Sequence, residues 1–134
     1  MIRPSKSNND SLFSFIPAII FISDELIATY VRPVFGLKKY GAASTILGWL
    51  PNFNAGLGMT ILGGIIVSGI IRRSKLEVSG KVKIMLKSIV LVGTLFLLIR
   101  HELNQKETGL YYDINDIYAT IAASILGTLI SLKR

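Results

Sequence analysis

The run 84-IMLKSIVLVGTLFLLI-99 decides the fold. It carries one charge, Lys87, and its Leu, Ile, Val and Phe residues fall on every side at helical spacing. A strand needs about five or six residues and a helix in water needs a polar face. A long run with neither limit reads as a helix in lipid, where about 20 apolar residues cross the hydrocarbon. It ends at Arg100, and Lys87 is placed to snorkel to the interface. Bulky residues all round give the expectation that this span faces lipid.

Towards the C-terminus the polar stretch RHELNQKETGLYYDIND leads into a fourth span, Ile114 to Leu132, closed by Lys133 and Arg134. Towards the N-terminus the loop RRSKLEVSGKVK turns at Ser79 and Gly80, and a glycine-rich second span runs from Asn52 to Ile71. The stretch from Arg32 to Pro51 is mixed, with Pro33, Gly36, Lys38, Lys39, Gly41, Gly48 and Trp49, and reads as a connection holding a short interfacial segment near Ala42 to Leu50. A first span covers Leu12 to Val31. Its charged start resembles a signal peptide, but no A-x-A-like cleavage site follows, so it is read as an uncleaved helix. The expected fold is therefore all-α, a single polytopic membrane domain over residues 1–134 built as a four-helix transmembrane bundle with a short interfacial segment between helices 1 and 2.

Composition agrees. The 134 residues are 51% hydrophobic and 17% charged, with a mean hydropathy of +0.55, which leaves no room for a separate soluble domain. A net charge of +7 points to nucleic acid in a soluble protein, but beside apolar helices it is a topology signal, and no nucleic-acid partner is expected. With both termini in the cytoplasm, ten of the fifteen basic residues lie inside: Arg3, Lys6, Arg72, Arg73, Lys75, Lys81, Lys83, Lys87, Lys133 and Arg134. Arg32, Lys38, Lys39, Arg100 and Lys106 lie outside. Only Asp10 and Glu77 are acidic inside, so the inner side carries +8 and the outer side −1. Cysteine substitutions at Ser79 and Thr108 are then expected to label from opposite faces. No cysteine and one histidine, His101, exclude disulfides, thiolate chemistry and multi-His zinc, and no cofactor or metal is expected.

In lipid the hydrophobic effect does not join helices, so small residues that let backbones approach are informative. Gly56, Thr60, Gly64 and Ser68 recur every four residues in the second span, as do Ala119, Ala123, Gly127 and Ser131 in the fourth. The two stripes are expected to pack closely, within a monomer or across a dimer.

Candidate functional residues are the polar groups in or beside the spans, because a charge at mid-bilayer costs about 2.5 to 3.5 kcal/mol on insertion scales. Asp24 and Glu25 fall past the middle of the first span; they either line a polar cavity or sit at the interface of a shorter span. Glu102 and Gln105 share a face if the third helix continues beyond Arg100. Asp113 and Asp116 share a face at the start of the fourth, where capping by Asp113 with Asp116 three residues on is a sufficient structural role. Together with Arg32, Arg100 and His101 these groups converge on the outer side. Such a pocket suits a lipid headgroup, a cation or a partner's basic residue.

Glu102-x-x-Gln105, Asp113-x-x-Asp116 and the small residues up to Gly127 resemble the C-terminal signature of VanZ-like membrane proteins, and Leu50 to Gly58, LPNFNAGLG, is similar in position to that family's LPD-like entry into its second helix. The resemblance covers about the C-terminal two-thirds of the chain. Thr120 stands where the family has Asn, Ala123 where it has Gly and Asn52 where it has Asp, and the D-K-x-x-H element is absent. What the resemblance implies is a four-helix protein of the bacterial cytoplasmic membrane associated with resistance to lipoglycopeptide-type antibiotics, with Glu102, Gln105, Asp113 and Asp116 as candidate positions. The expected function is a non-enzymatic envelope protein that binds a lipid, a lipid-linked precursor or a membrane partner. The alternatives are a small subunit of a larger transporter, channel or defence complex, or a homo-oligomer, and a pore-forming effector. An enzyme lacks a nucleophile with a positioned base, since His101 beside Glu102 is a lone acid/base pair.

Overall fold

A computed structural model describes residues 12–34, 41–74, 77–107 and 113–133. Arg3, Lys6, Asp10, Lys38, Lys39, Lys75, Thr108 and Arg134, which enter the orientation argument, lie outside the described residues. Four helices are long and apolar enough to cross a membrane: Leu12–Val31, Ser44–Ser74, Gly80–Gln105 and Ile114–Leu132. The protein is an all-α four-helix membrane bundle.

The first span contains α1, Ile16–Leu26, which opens with Pro17 in its first turn, where a missing N–H costs nothing. It ends in a π-helical turn, Ile27–Val31, closed by the Arg32 N–H on the Ile27 carbonyl at 2.9 Å. The wide turn shifts the register of the chain, and Arg32 follows directly.

Helix α2, Ala42–Ser74, is one continuous element of 33 residues with Pro51 inside it. The segment expected as a separate interfacial piece, Ala42 to Leu50, is its N-terminal end. At about 1.5 Å per residue α2 is about 50 Å long, well beyond the hydrocarbon thickness, so its ends stand in the headgroup regions. Pro51 has no N–H for the Leu47 carbonyl four residues back, and its ring crowds that carbonyl. Arg32 fills the gap: its Nε donates to the Leu47 carbonyl at 3.1 Å and its Nη2 to the Gly48 carbonyl at 3.3 Å.

Helix α3, Gly80–Glu107, extends past both expected limits of the third span. Helix α4, Ile114–Leu132, has the expected bounds, with Asp113 as N-cap accepting from the Asn115 N–H at 2.9 Å.

The largest helix–helix interface joins α2 and α4; α3 packs on both of them, and α1 lies along α2. The glycines account for the closeness. A Cβ on Gly56 would stand 2.8 Å from the Thr120 carbonyl and from Ser124 Oγ, one on Gly64 would meet Ser131, and one on Gly127 would meet Thr60 and the Leu57 carbonyl. The stripe Gly56, Thr60, Gly64 therefore faces the stripe Ala123, Gly127, Ser131 within one chain. Ala119 is only half-buried at its edge, and Ser68, also half-buried, continues the first stripe.

The interior is polar and the exterior apolar. Ile61 and Ala123 are the buried hydrophobic residues among those described, against Ser44, Thr60, Lys87, Thr94, Glu102, Thr120, Ser124, Thr128 and Ser131 as buried polar ones. Three of these hydroxyls, on Thr60, Thr128 and Ser131, donate along their own helix. Thr60 and Ser68 donate to the carbonyls four residues back, of Gly56 and Gly64, at 2.8 Å, and Thr128 donates to Ser124 at 2.9 Å. A hydroxyl bonded in this way is sterically a small side chain and can sit between helices.

The expectation that the third span only faces lipid is corrected here. Phe96, Leu97, Val92 and Ile89 do face outwards, but Lys87, Thr94 and Glu102, roughly two turns apart, point into the bundle. Lys87 does not snorkel to the surface either: it is 5% exposed and its Nζ donates to the Ser131 carbonyl of α4. That carbonyl lies in the last turn of α4, where a cation meets the negative end of the helix dipole.

Candidate functional site

Four segments deliver polar groups to one end of the bundle. The continuation of α3 beyond Arg100 carries Glu102 inwards until it is 1% exposed. The first turn of α4 brings Asp116, half-buried, beside it, and the two carboxylates interact. Asn52, one residue after Pro51 on α2, places its side-chain amide where it hydrogen-bonds with both. Arg32, held on the Leu47 and Gly48 carbonyls, adds its charge to the Asp116 side, and Asp113 stands nearby on α4. His101 adjoins Glu102 in the chain and interacts with it.

One atom in this cluster is left over. Glu102 Oε2 is buried and, among the described residues, has no hydrogen-bond partner. A buried carboxylate is tolerated where its oxygens are paired, and an unpaired one costs several kcal/mol, roughly. Asn52 offers two N–H groups, which cannot serve all four oxygens of Glu102 and Asp116. The arrangement therefore has room for one more donor or cation. Two further buried polar atoms without partners, Thr120 Oγ1 and Ser124 Oγ, lie on α4 where it meets Gly56 of α2.

The other sequence candidates are dispersed. Asp24 is half-buried and accepts from Asn54 Nδ2 at 3.1 Å, which ties α1 to α2. Glu25, one residue on and about 100° around the helix, is exposed. Gln105 meets His101, its Nε2 lying 3.0 Å from His101 Nε2 at an exposed position on α3. Arg100 is exposed. Asp113 acts as the cap of α4, and Asp116 is both a first-turn residue and a member of the cluster.

Asn52 is a site residue that the sequence presents only as a departure from a motif. The available signal was its place directly after Pro51, where a polar side chain follows a helix disturbance inside an apolar stretch. Among the described residues no group of three His, Cys, Asp or Glu side chains gathers closely enough to hold a metal ion. No family model, curated protein or solved structure matches the chain.

Proposed function

We propose that this chain is a non-enzymatic envelope protein of the bacterial cytoplasmic membrane, with both termini in the cytoplasm, that uses the Glu102, Asp116 and Asn52 cluster to bind a lipid, a lipid-linked precursor or a membrane partner. The observation that carries the proposal is the unpartnered Oε2 of Glu102 beside a second carboxylate. The missing partner is a donor or a cation, which makes an ammonium-bearing group the best-suited ligand. Asp116, half-buried, forms the way in.

Of the four VanZ-like positions, Glu102 and Asp116 belong to this cluster, whereas Asp113 caps α4 and Gln105 pairs with His101. A VanZ-like role would make the ligand a cell-wall precursor or a lipoglycopeptide, and a changed susceptibility on deletion of the gene would support that narrower form.

The test is native mass spectrometry of protein extracted gently from its own membrane, with Glu102→Gln alongside. Expected is a stoichiometric bound molecule on the wild type that is absent from a folded variant. An identical set of bound molecules on the wild type and the folded variant, with none lost, would refute the proposal. Glutamine keeps the shape and removes the uncompensated charge, so the variant is expected to be as stable as the wild type or more so.

A second reading, a small subunit of a larger transporter, channel or defence complex, is favoured by Glu25. An exposed carboxylate within a helix that crosses lipid is costly, and a neighbouring chain with a basic residue would cover it. Co-purification of one partner, lost in Glu25→Ala, would support this reading. A pore-forming role has no comparable observation behind it.

A further inference from the structure

The opposite end of the bundle holds a cavity of about 410 Å³ between the last turns of α2 and α4 and the first turns of α3. Its volume is in the range of small-ligand sites, about 300 to 1,000 Å³. The charged lining is entirely basic among the described residues: Arg72 from α2, Lys83 and Lys87 from α3, and Lys133 just beyond α4. Exposed lysines and arginines beside a span are ordinary topology signals, and that accounts for Arg72, Lys83 and Lys133. It does not account for Lys87, which is 5% exposed, three helical residues inwards from Ile84, and faces a space with no acidic side chain.

An ammonium group has three N–H donors. Lys87 gives one to the Ser131 carbonyl, which leaves two without an acceptor among the described residues. Lys83 repels it and the other charged lining residues are also basic, so the site lacks a counter-charge in the same way that the Glu102 cluster lacks a donor. Gly80 brings the N-terminus of α3, whose free amides favour negative charge, to the same wall. Ile84 and Leu132, both exposed at the rim, add apolar surface beside the charges.

We propose that this cavity binds a phosphate group, with Lys87 as its buried contact and Arg72, Lys83 and Lys133 as its rim. A headgroup phosphate of an anionic phospholipid fits best, because the apolar rim gives an acyl chain a surface that a free ion does not use. Under the orientation proposed above this end meets the cytoplasmic leaflet, where anionic lipids attract clustered basic residues. The site is independent of the Glu102 cluster.

The test uses the full chain in nanodiscs of mixed phosphatidylcholine and phosphatidylglycerol, transferred to detergent and read by native mass spectrometry for retained lipid. Inorganic phosphate is titrated separately against thermal unfolding in detergent alone. The wild type is expected to retain phosphatidylglycerol above its share of the bulk. Each rim cation is worth about a fivefold preference near a membrane surface, so the double variant Arg72→Gln, Lys133→Gln, at two exposed positions, is expected to lower retention by about 30-fold. Lys87→Gln is expected to abolish retention, and Glu102→Gln to leave it unchanged. Saturable protection by phosphate, without preference for phosphatidylglycerol, supports the phosphate site and assigns it a free ion. Equal retention by wild type and a fully helical double variant, with no protection by phosphate, would overturn the proposal.

Discussion

Replacing Gly127 by alanine is expected to destabilise the bundle, although alanine is the better helix former. At this position the new methyl group meets Thr60 Oγ1, lies 2.9 Å from the Leu57 carbonyl oxygen and 3.3 Å from Thr60 Cβ. Neither obstacle is a flexible end. The Leu57 carbonyl is helix backbone, and Thr60 is β-branched and held by its hydroxyl on the Gly56 carbonyl at 2.8 Å. Helices α2 and α4 must therefore move apart. Overpacking of this kind costs about 1 to 3 kcal/mol, whereas glycine to alanine in a helix gains about 1 kcal/mol at most. The net expectation is destabilisation of up to about 2 kcal/mol, at its upper end roughly a 30-fold fall in the folding equilibrium. Gly93, on α3, is the internal control, because a Cβ there meets nothing within 4 Å. Gly93→Ala is expected to stabilise by about 0.5 to 1 kcal/mol. Titration with a denaturing detergent in mixed micelles, followed by helicity and by the fluorescence of the single tryptophan, Trp49, measures both variants. If Gly127→Ala and Gly93→Ala shift the midpoint in the same direction by the same amount, the close contact of the two stripes is not what holds α2 to α4.

Other substitutions test other parts of the fold. Arg32→Met should cost about 1 to 3 kcal/mol by leaving the Leu47 carbonyl unpaired, and adding Pro51→Ala should recover most of it, because Ala at 51 supplies the N–H that proline lacks; no recovery in the double variant would mean that the carbonyl is not what Arg32 serves. Asp113→Ala should cost about 1 kcal/mol through loss of the α4 cap without altering any bound molecule found by mass spectrometry. Ser124→Ala, which removes an unpartnered buried hydroxyl, should leave the same unfolding midpoint unchanged or raise it. Single cysteines at Ser79 and Glu107, both exposed, should be labelled by an impermeant thiol reagent from opposite sides of the membrane, and labelling from one side would reject the four-span arrangement.

The span pattern was legible because lipid imposes length and apolarity on every crossing segment, and Ile114 to Leu132 shows both with a polar residue on either side. Small-residue spacing also carried the α2–α4 contact, since Gly56, Gly64 and Gly127 have no other use in helices that require no turn there. The ends of α2 and α3 were not legible. Proline at 51 reads as a boundary in sequence, but α2 runs through it, because Arg32, 19 residues earlier, satisfies the carbonyl that proline abandons. That compensation is tertiary and leaves no local mark. Glu102 and Asp116 could be paired by sequence, whereas Asn52, which joins them, depends on where α2 lies after Pro51. Gln105 shares a helical face with Glu102 in principle. Three residues amount to about 300° rather than a full turn, and this offset leaves Gln105 beside His101 while Glu102 turns inwards.

The distribution of polarity links stability to function in this bundle. With two buried hydrophobic residues among those described, little of the fold is held by apolar burial, and the lipid-facing leucines and isoleucines contribute nothing to helix association that the bilayer does not already supply. The helices are held instead by close backbone contacts along Gly56, Gly64 and Gly127, which hydroxyls bonded within their own helices are compact enough to allow. A bundle held this way does not need Glu102 or Lys87 inside it. Each is a buried charge with bonding capacity left over, at opposite ends of the same three helices, and each costs stability that a leucine would not. Selection for folding alone would remove both. On the two proposals, ligands at the two ends, one supplying a donor and the other a phosphate, would offset the two costs separately, so Glu102→Gln and Lys87→Gln are expected to lose different molecules.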